Sequence, residues 1–259
     1  MLVISQAQMD AFSQASVLPF KREMVLHCFA FFPVLCAVLG EVGTGHVVSR
    51  AILEARRVGF TAKGPVRLFI ELTFLFGSDF PSDPQYPWIR ETLGDGRPEN
   101  QAARAMALFR MVRTYQQQVL GPSDVNAMRA LAKLRDLASQ EVHFPRESRL
   151  AGLVHTLHQI YPEKVAFAES DQALPLLIEA SIRKTAANRL PEGRAELLVL
   201  ALMFAFGHGC FEDPLYPWIG HTVQDERLAE PGARALRLER KALTWLGRVL
   251  NNYSPENKT

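Results

Sequence analysis

Apolar residues recur with helical spacing along almost the whole chain. Ser5 suits the N-cap of a helix over about 6–16. Val25 to Phe32 reads as a buried helix that Pro33 ends or restarts. Val47, Val48, Ala51, Ile52 and Ala55 form an apolar stripe. Pro65 opens a helix that is apolar nearly all round, and Gly77 closes it as a C-cap. A short helix starts at Pro87. A long one follows from about Pro98 to Leu120, with Ala102, Ala105, Met106, Phe109, Val112 and Val119 facing inward. Gly121-Pro122 is a break. Ser123 then caps a helix to about Gln140, and further helices are expected near 147–160, 172–188, 193–206, 217–224 and 232–251. Period-two alternation is scarce, so the pattern predicts an all-α protein, with a frayed polar tail from Ser254 to Thr259.

The pattern repeats. Val66–Leu120 against Glu196–Leu250 gives 22 identities in 55 ungapped pairs. The densest part is FGSDFPSDPQYPWI (Phe76–Ile89) against FGHGCFEDPLYPWI (Phe206–Ile219). Farther upstream the match needs small gaps, with Phe32-Pro33 against Tyr161-Pro162. We expect a tandem duplication of a helical subdomain of about five or six helices, repeat 1 spanning 1–121 and repeat 2 spanning 122–259. Packing with pseudo-twofold symmetry would place the apolar helices Pro65–Phe76 and Arg194–Phe206 near the shared axis.

The doubled loop reads first as a joint. Gly77 and Gly207 end helices. Asp83-Pro84 and Asp213-Pro214 make turns, the aspartate bonding the backbone two residues on. Tyr86-Pro87-Trp88 and Tyr216-Pro217-Trp218 launch the next helices, and the tryptophan staples the corner. Three site readings compete with it. Asp79 and Asp83 hint at calcium, but the ligand pattern is incomplete and Asp79 becomes Gly209. His208, Cys210 and His221 could converge on zinc, without an evident fourth ligand. The aromatic residues could anchor a protein partner.

Other candidate chemistry is sparse. His155 and His158 have a metal-ligand spacing, yet they border an apolar face and read as solvent-edge residues. Gly40–Gly45 is glycine-rich without a P-loop lysine and reads as an interhelical loop. Glu71 lies within the apolar helix and reads as exposed. No nucleophile elbow or metalloprotease motif is present, so neither an enzyme nor a cofactor is expected.

The chain has 259 residues, 48% of them apolar and 22% charged, with a net charge of +2. That is the make-up of an ordinary globular protein, with no global pull toward nucleic acid or anionic membranes. Three cysteines argue against a disulfide framework, and Cys28 and Cys36 read as small core residues. The start of the chain does not read as a signal peptide, and Cys28–Leu39 is too short to span a bilayer. Together these features predict a cytoplasmic protein.

The order of motifs resembles a known group. Ile4, Gln8 and Phe12 are followed by Met24 and His27, Phe32-Pro33 and Gly59-Phe60. Then come Val66, Leu68-Phe69-Ile70 and Leu72, and finally Phe76-Gly77, Asp79-Phe80, Asp83-Pro84 and Pro87-Trp88. The series is similar to uncharacterised small helical proteins encoded beside VgrG spike proteins, their chaperones and toxic effectors in bacterial type VI secretion clusters. Those carry the pattern once, over about residues 3–93 here, which would make this chain a two-copy version. The resemblance implies a cytoplasmic adaptor or chaperone that binds an effector or the VgrG-type spike. A cytoplasmic immunity protein that neutralises a toxin is the main alternative, and an enzyme, the toxin itself, a third. It assigns no functional residues.

Overall fold

In a computed structural model of the chain, residues 6–94, 99–137, 149–169, 173–251 and 253 are described, with side chains from Leu18 onward. The described residues are all-helical, with twelve α-helices and no strand. None of these helices is long and apolar enough to cross a membrane. The expectations for Ser5, Pro98 and the tail Ser254–Thr259 fall outside the described residues.

Before Gly121 lie α1 (Gln6–Phe31), α2 (Pro33–Arg57), α3 (Lys63–Phe76), α4 (Pro87–Leu93) and α5 (Gln101–Tyr115). After it come α6 (Val125–Leu137), α7 (Arg149–Ile160), α8 (Pro162–Glu169), α9 (Ala173–Ala187), α10 (Arg194–Phe206), α11 (Pro217–Val223) and α12 (Pro231–Asn251). Seven helices after the break, rather than five or six, reflect α8, a short helix that the periodic pattern did not separate out. Buried apolar residues from Met24 to Leu246 form one continuous core.

Three local expectations are corrected. Gly40–Gly45 is not a loop: it lies within α2, which breaks only at Gly40 (φ 68). An added Cβ at Gly45 would sit 3.6 Å from the Lys21 side chain, an ordinary contact between α1 and α2. The α1 segment from Val25 to Phe32 is buried on one side only. Met24, Val25 and Cys28 face the core, while Leu26 and Phe31 are exposed. On α5 the buried line is Ala105, Leu108, Val112 and Tyr115, continued by Val119 in the following π-turn. Met106 and Phe109 face outward, at 54% and 46% exposure, and Ala102 is exposed as well. An apolar arc wider than one stripe left the inward direction ambiguous by periodicity.

Many local bonds recur about 130 residues on. Phe60 N–H donates to Ala55 O (2.8 Å) and Leu190 N–H to Thr185 O (3.0 Å), each just after a residue of positive φ, Gly59 and Arg189. The Arg104 guanidinium donates to the carbonyls of Val58 and Leu93, and that of Arg234 to those of Asn188 and Leu228. Each arginine thereby satisfies a carbonyl left free just after a helix, Val58 after α2 and Asn188 after α9, and a second one farther along the chain. Other supports occur once. Gln101 Oε1 accepts from Thr61 and Ala62 N–H at the start of α3 (both 2.9 Å). The buried Glu196 takes a bond from Arg149 Nε (2.7 Å), tying α10 to α7.

Candidate functional site

The two loops of the doubled motif meet each other. Gly77 and Gly207, which end α3 and α10, have φ of 95° and 96°. A Cβ added at Gly77 would lie 2.7 Å from Phe206 O, and one at Gly207 would lie 2.6 Å from Phe76 O. Backbone thus passes against backbone, and only glycine fits.

Each aspartate serves both loops. Asp213 Oδ1 accepts from Leu215 N–H (2.9 Å), the local turn bond its motif predicts. The same carboxylate also reaches across to Ser78, accepting from its N–H at 2.7 Å and its hydroxyl at 2.6 Å. Asp83 Oδ1 accepts from Gln85 N–H (2.9 Å), and Oδ2 accepts from His208 N–H of the other loop (2.8 Å). Gln85 Nε2 donates to Asp83 and onward to Met203 O in the last turn of α10. Burial pushes the Asp213 carboxyl up, and its hydrogen bonds work against that rise. Burial lowers the His208 imidazole, but Asp83 beside it, with Nδ1 3.3 Å from Oδ2, holds it above its usual value.

The remaining motif residues complete this corner. Pro84 and Pro214 follow the aspartates in their turns, and Pro87 and Pro217 are the first residues of α4 and α11. Tyr86 packs on Phe76 (4.5 Å between ring centres) and Tyr216 stacks on Phe206 (4.5 Å). Trp88 is buried edge-on to Phe76, at 6.1 Å.

The metal readings meet a different geometry. Asp79 binds Arg50 at 2.6 Å. Cys210 is fully buried, and burial pushes its thiol well up, while His208 is engaged with Asp83 and His221 is exposed. His155 is exposed and bonds Gln159. Among the described residues, no three His, Cys, Asp or Glu side chains group in a way that could hold a metal ion. Glu71, expected to be exposed, is half-buried, 2.8 Å from His27 Nε2 and 3.0 Å from Arg67 Nε.

One outer face of the second loop does border a cleft. Pro214, Pro217 and Trp218 form a wall of a depression of about 590 Å³. His46 from α2, His221 from α11 and Lys241 and Arg248 from α12 also line it, with no acidic residue among the described residues of its lining. The indole N–H groups of Trp218 and Trp245, both on this wall, are buried without an acceptor among the described residues. The corresponding positions after the first loop are Glu91, Met111 and Gln118, so the basic character belongs to the second loop's surroundings. Aligning His221, Lys241 and Arg248 with those three positions was enough to show the contrast in sequence; the contribution of His46 was not legible.

Behind Trp245 lies a partly open cavity of about 180 Å³ that sequence reasoning missed. Lys164 lines it at 4% exposure. Its Nζ donates to Phe204 O and stands 4.6 Å and 5.4 Å from the ring centres of Phe204 and Tyr86. Burial pulls this amine from 10.5 down to about 8, and Asp83 acts in the opposite direction. The folded state therefore binds fewer protons than the unfolded chain between about pH 8 and 10.5, and stability rises with pH across that window. Below it, the depression corresponds to a cost of about 3 kcal/mol. Lys164→Met is expected to stabilise the protein by about 2 kcal/mol at pH 7, after the loss of the Phe204 bond and the two ring contacts, and the gain should vanish near pH 10.5. Urea unfolding of both proteins at the two pH values checks this. A variant no more stable than wild type at pH 7 refutes it.

Compared with protein-family models, curated proteins and solved structures, the chain matches none.

Proposed function

We propose that the protein is a non-enzymatic accessory protein of type VI secretion, an adaptor or chaperone that binds a cognate effector or the VgrG-type spike in the cytoplasm. The class of partner comes from the Leu-Phe-Ile, Phe-Gly, Asp-Pro and Pro-Trp frame in the sequence. The observation that carries a binding role is the basic, tryptophan-walled cleft beside the second loop. Aromatic and basic side chains at a concave surface suit an acidic segment of a protein partner, and large aromatic anchors supply most of the energy in such interfaces. The doubled loop is the architectural part of this proposal: two copies of one helical subdomain, related by a pseudo-twofold axis near Gly77 and Gly207, hold the cleft's wall in place.

The test is co-purification with the effector and spike proteins encoded beside the gene, identified by mass spectrometry, followed by an export assay. Lys241→Glu with Arg248→Glu should weaken capture of that partner about tenfold or more, whereas the exposed control Arg183→Glu should not. Unchanged capture in the double variant removes the cleft from the interface. Effector loading and export that persist after gene deletion defeat the adaptor role. Tight binding to the toxic domain, with rescue of cells, would make the chain an immunity protein instead.

A further inference from the structure

The cavity behind Trp245 has the attributes of a ligand site rather than a packing gap. Its volume of about 180 Å³ is comparable to the roughly 150 Å³ apolar cavity that accommodates benzene in an engineered protein. Its walls are mostly rings and aliphatic chains, among them Tyr86, Tyr115, Tyr161, Phe204 and Trp245. Into this apolar volume the fold places one cation. We infer that the cavity binds a small, largely apolar carboxylic acid, with an aromatic or short aliphatic body among the rings and its carboxylate on Lys164 Nζ.

Lys164 is hard to explain as a stabilising residue. It is the third residue of α8, where the positive end of the helix dipole disfavours a cation. It is almost fully buried, and an apolar residue of similar volume would cost less there. Aligning Phe32-Pro33 with Tyr161-Pro162 puts Leu35 opposite it, so the frame itself accepts an apolar residue at this place. An ammonium has three N–H donors, and the carbonyl of Phe204 is the one hydrogen-bond acceptor it meets among the described residues. The aromatic faces of Phe204 and Tyr86 compensate the charge only in part.

The remaining titratable groups do not complete the pair. Asp83 influences Lys164 through space, but its oxygens already accept from Gln85 and His208. Tyr86, Tyr115 and Tyr161 are held as neutral phenols by burial. At pH 7 an amine held at about 8 is still mainly protonated, so a carboxylate entering the cavity meets a positive charge with unused donors. A single cation with aromatic walls suits a monovalent acid better than a phosphate, which would need more donors.

Calorimetric titration of the full chain with benzoate, and with benzyl alcohol as its neutral counterpart, tests the site. Benzoate should bind one to one. Lys164→Met should weaken benzoate about tenfold or more while changing benzyl alcohol by less than about threefold. Ala205→Leu, which extends a side chain from the cavity wall, should abolish binding of both. The inference is overturned by absence of benzoate binding, by unchanged benzoate affinity in Lys164→Met, by equal loss of both ligands in that variant, or by full benzoate affinity in Ala205→Leu.

Discussion

Gly207→Ala is expected to lower the free energy of unfolding by about 4 kcal/mol. Two causes act together. At φ 96° and ψ 151° the backbone lies in a region that is essentially restricted to glycine, which costs an alanine about 1–3 kcal/mol. The new Cβ would also stand 2.6 Å from Phe76 O, which belongs to the end of a core helix and not to a side chain that can swing away. Forcing that contact apart adds about 1–3 kcal/mol. Gly232→Ala is the matched control: it lies in the first turn of α12, and an added Cβ there meets nothing within 4 Å. It should be neutral or slightly stabilising. Urea denaturation of the two variants decides the matter. A cost below about 1 kcal/mol at Gly207 would mean that the loops do not abut in this way.

Asp213→Ala should cost about 4 kcal/mol as well, by loss of partners rather than by collision. Its carboxylate accepts three bonds, from Ser78 N–H, the Ser78 hydroxyl and Leu215 N–H, in a buried setting. Bonds to a charged acceptor are each worth about 1.5–3 kcal/mol, and the donors left behind in the interior add a desolvation penalty. Removal of a buried charge that itself carries a burial cost offsets part of this loss. Asp83→Ala should behave similarly, because Gln85 and His208 N–H depend on it. The double variant should lose less than the sum of the two by at least about 1 kcal/mol, since either change opens the same contact. Strict additivity in a double-mutant cycle would show that the two carboxylates hold separate structures.

Much of this corner was legible in the chain. Glycine at a helix end, Asp-Pro at a turn and Pro-Trp at a helix start have local meanings, and Gly77, Pro87 and Trp88 take those places. The local half of the aspartates' work was legible too, in the bonds to Gln85 and Leu215. The other half was not, because Ser78 and His208 lie 135 and 125 positions away from their carboxylates. A repeat reveals which residues recur but not which of them face each other. Lys164 escaped notice for a related reason. A lysine three residues into a helix reads as a solvated position, and only the approach of α10 and of the first loop turns it into an interior charge.

The difference between Asp79 and Gly209 first counted against a calcium site, and the structure gives it a second meaning. A Cβ at position 209 would fall 2.2 Å from Asp79 Oδ2, because the side chain of one loop occupies the space that the other leaves open. Two loops that both carried the aspartate could not close on each other in this manner. The joint is therefore handed: one side supplies the peg and the other the socket, and the two stretches that look most alike in sequence are compatible only because they are not identical.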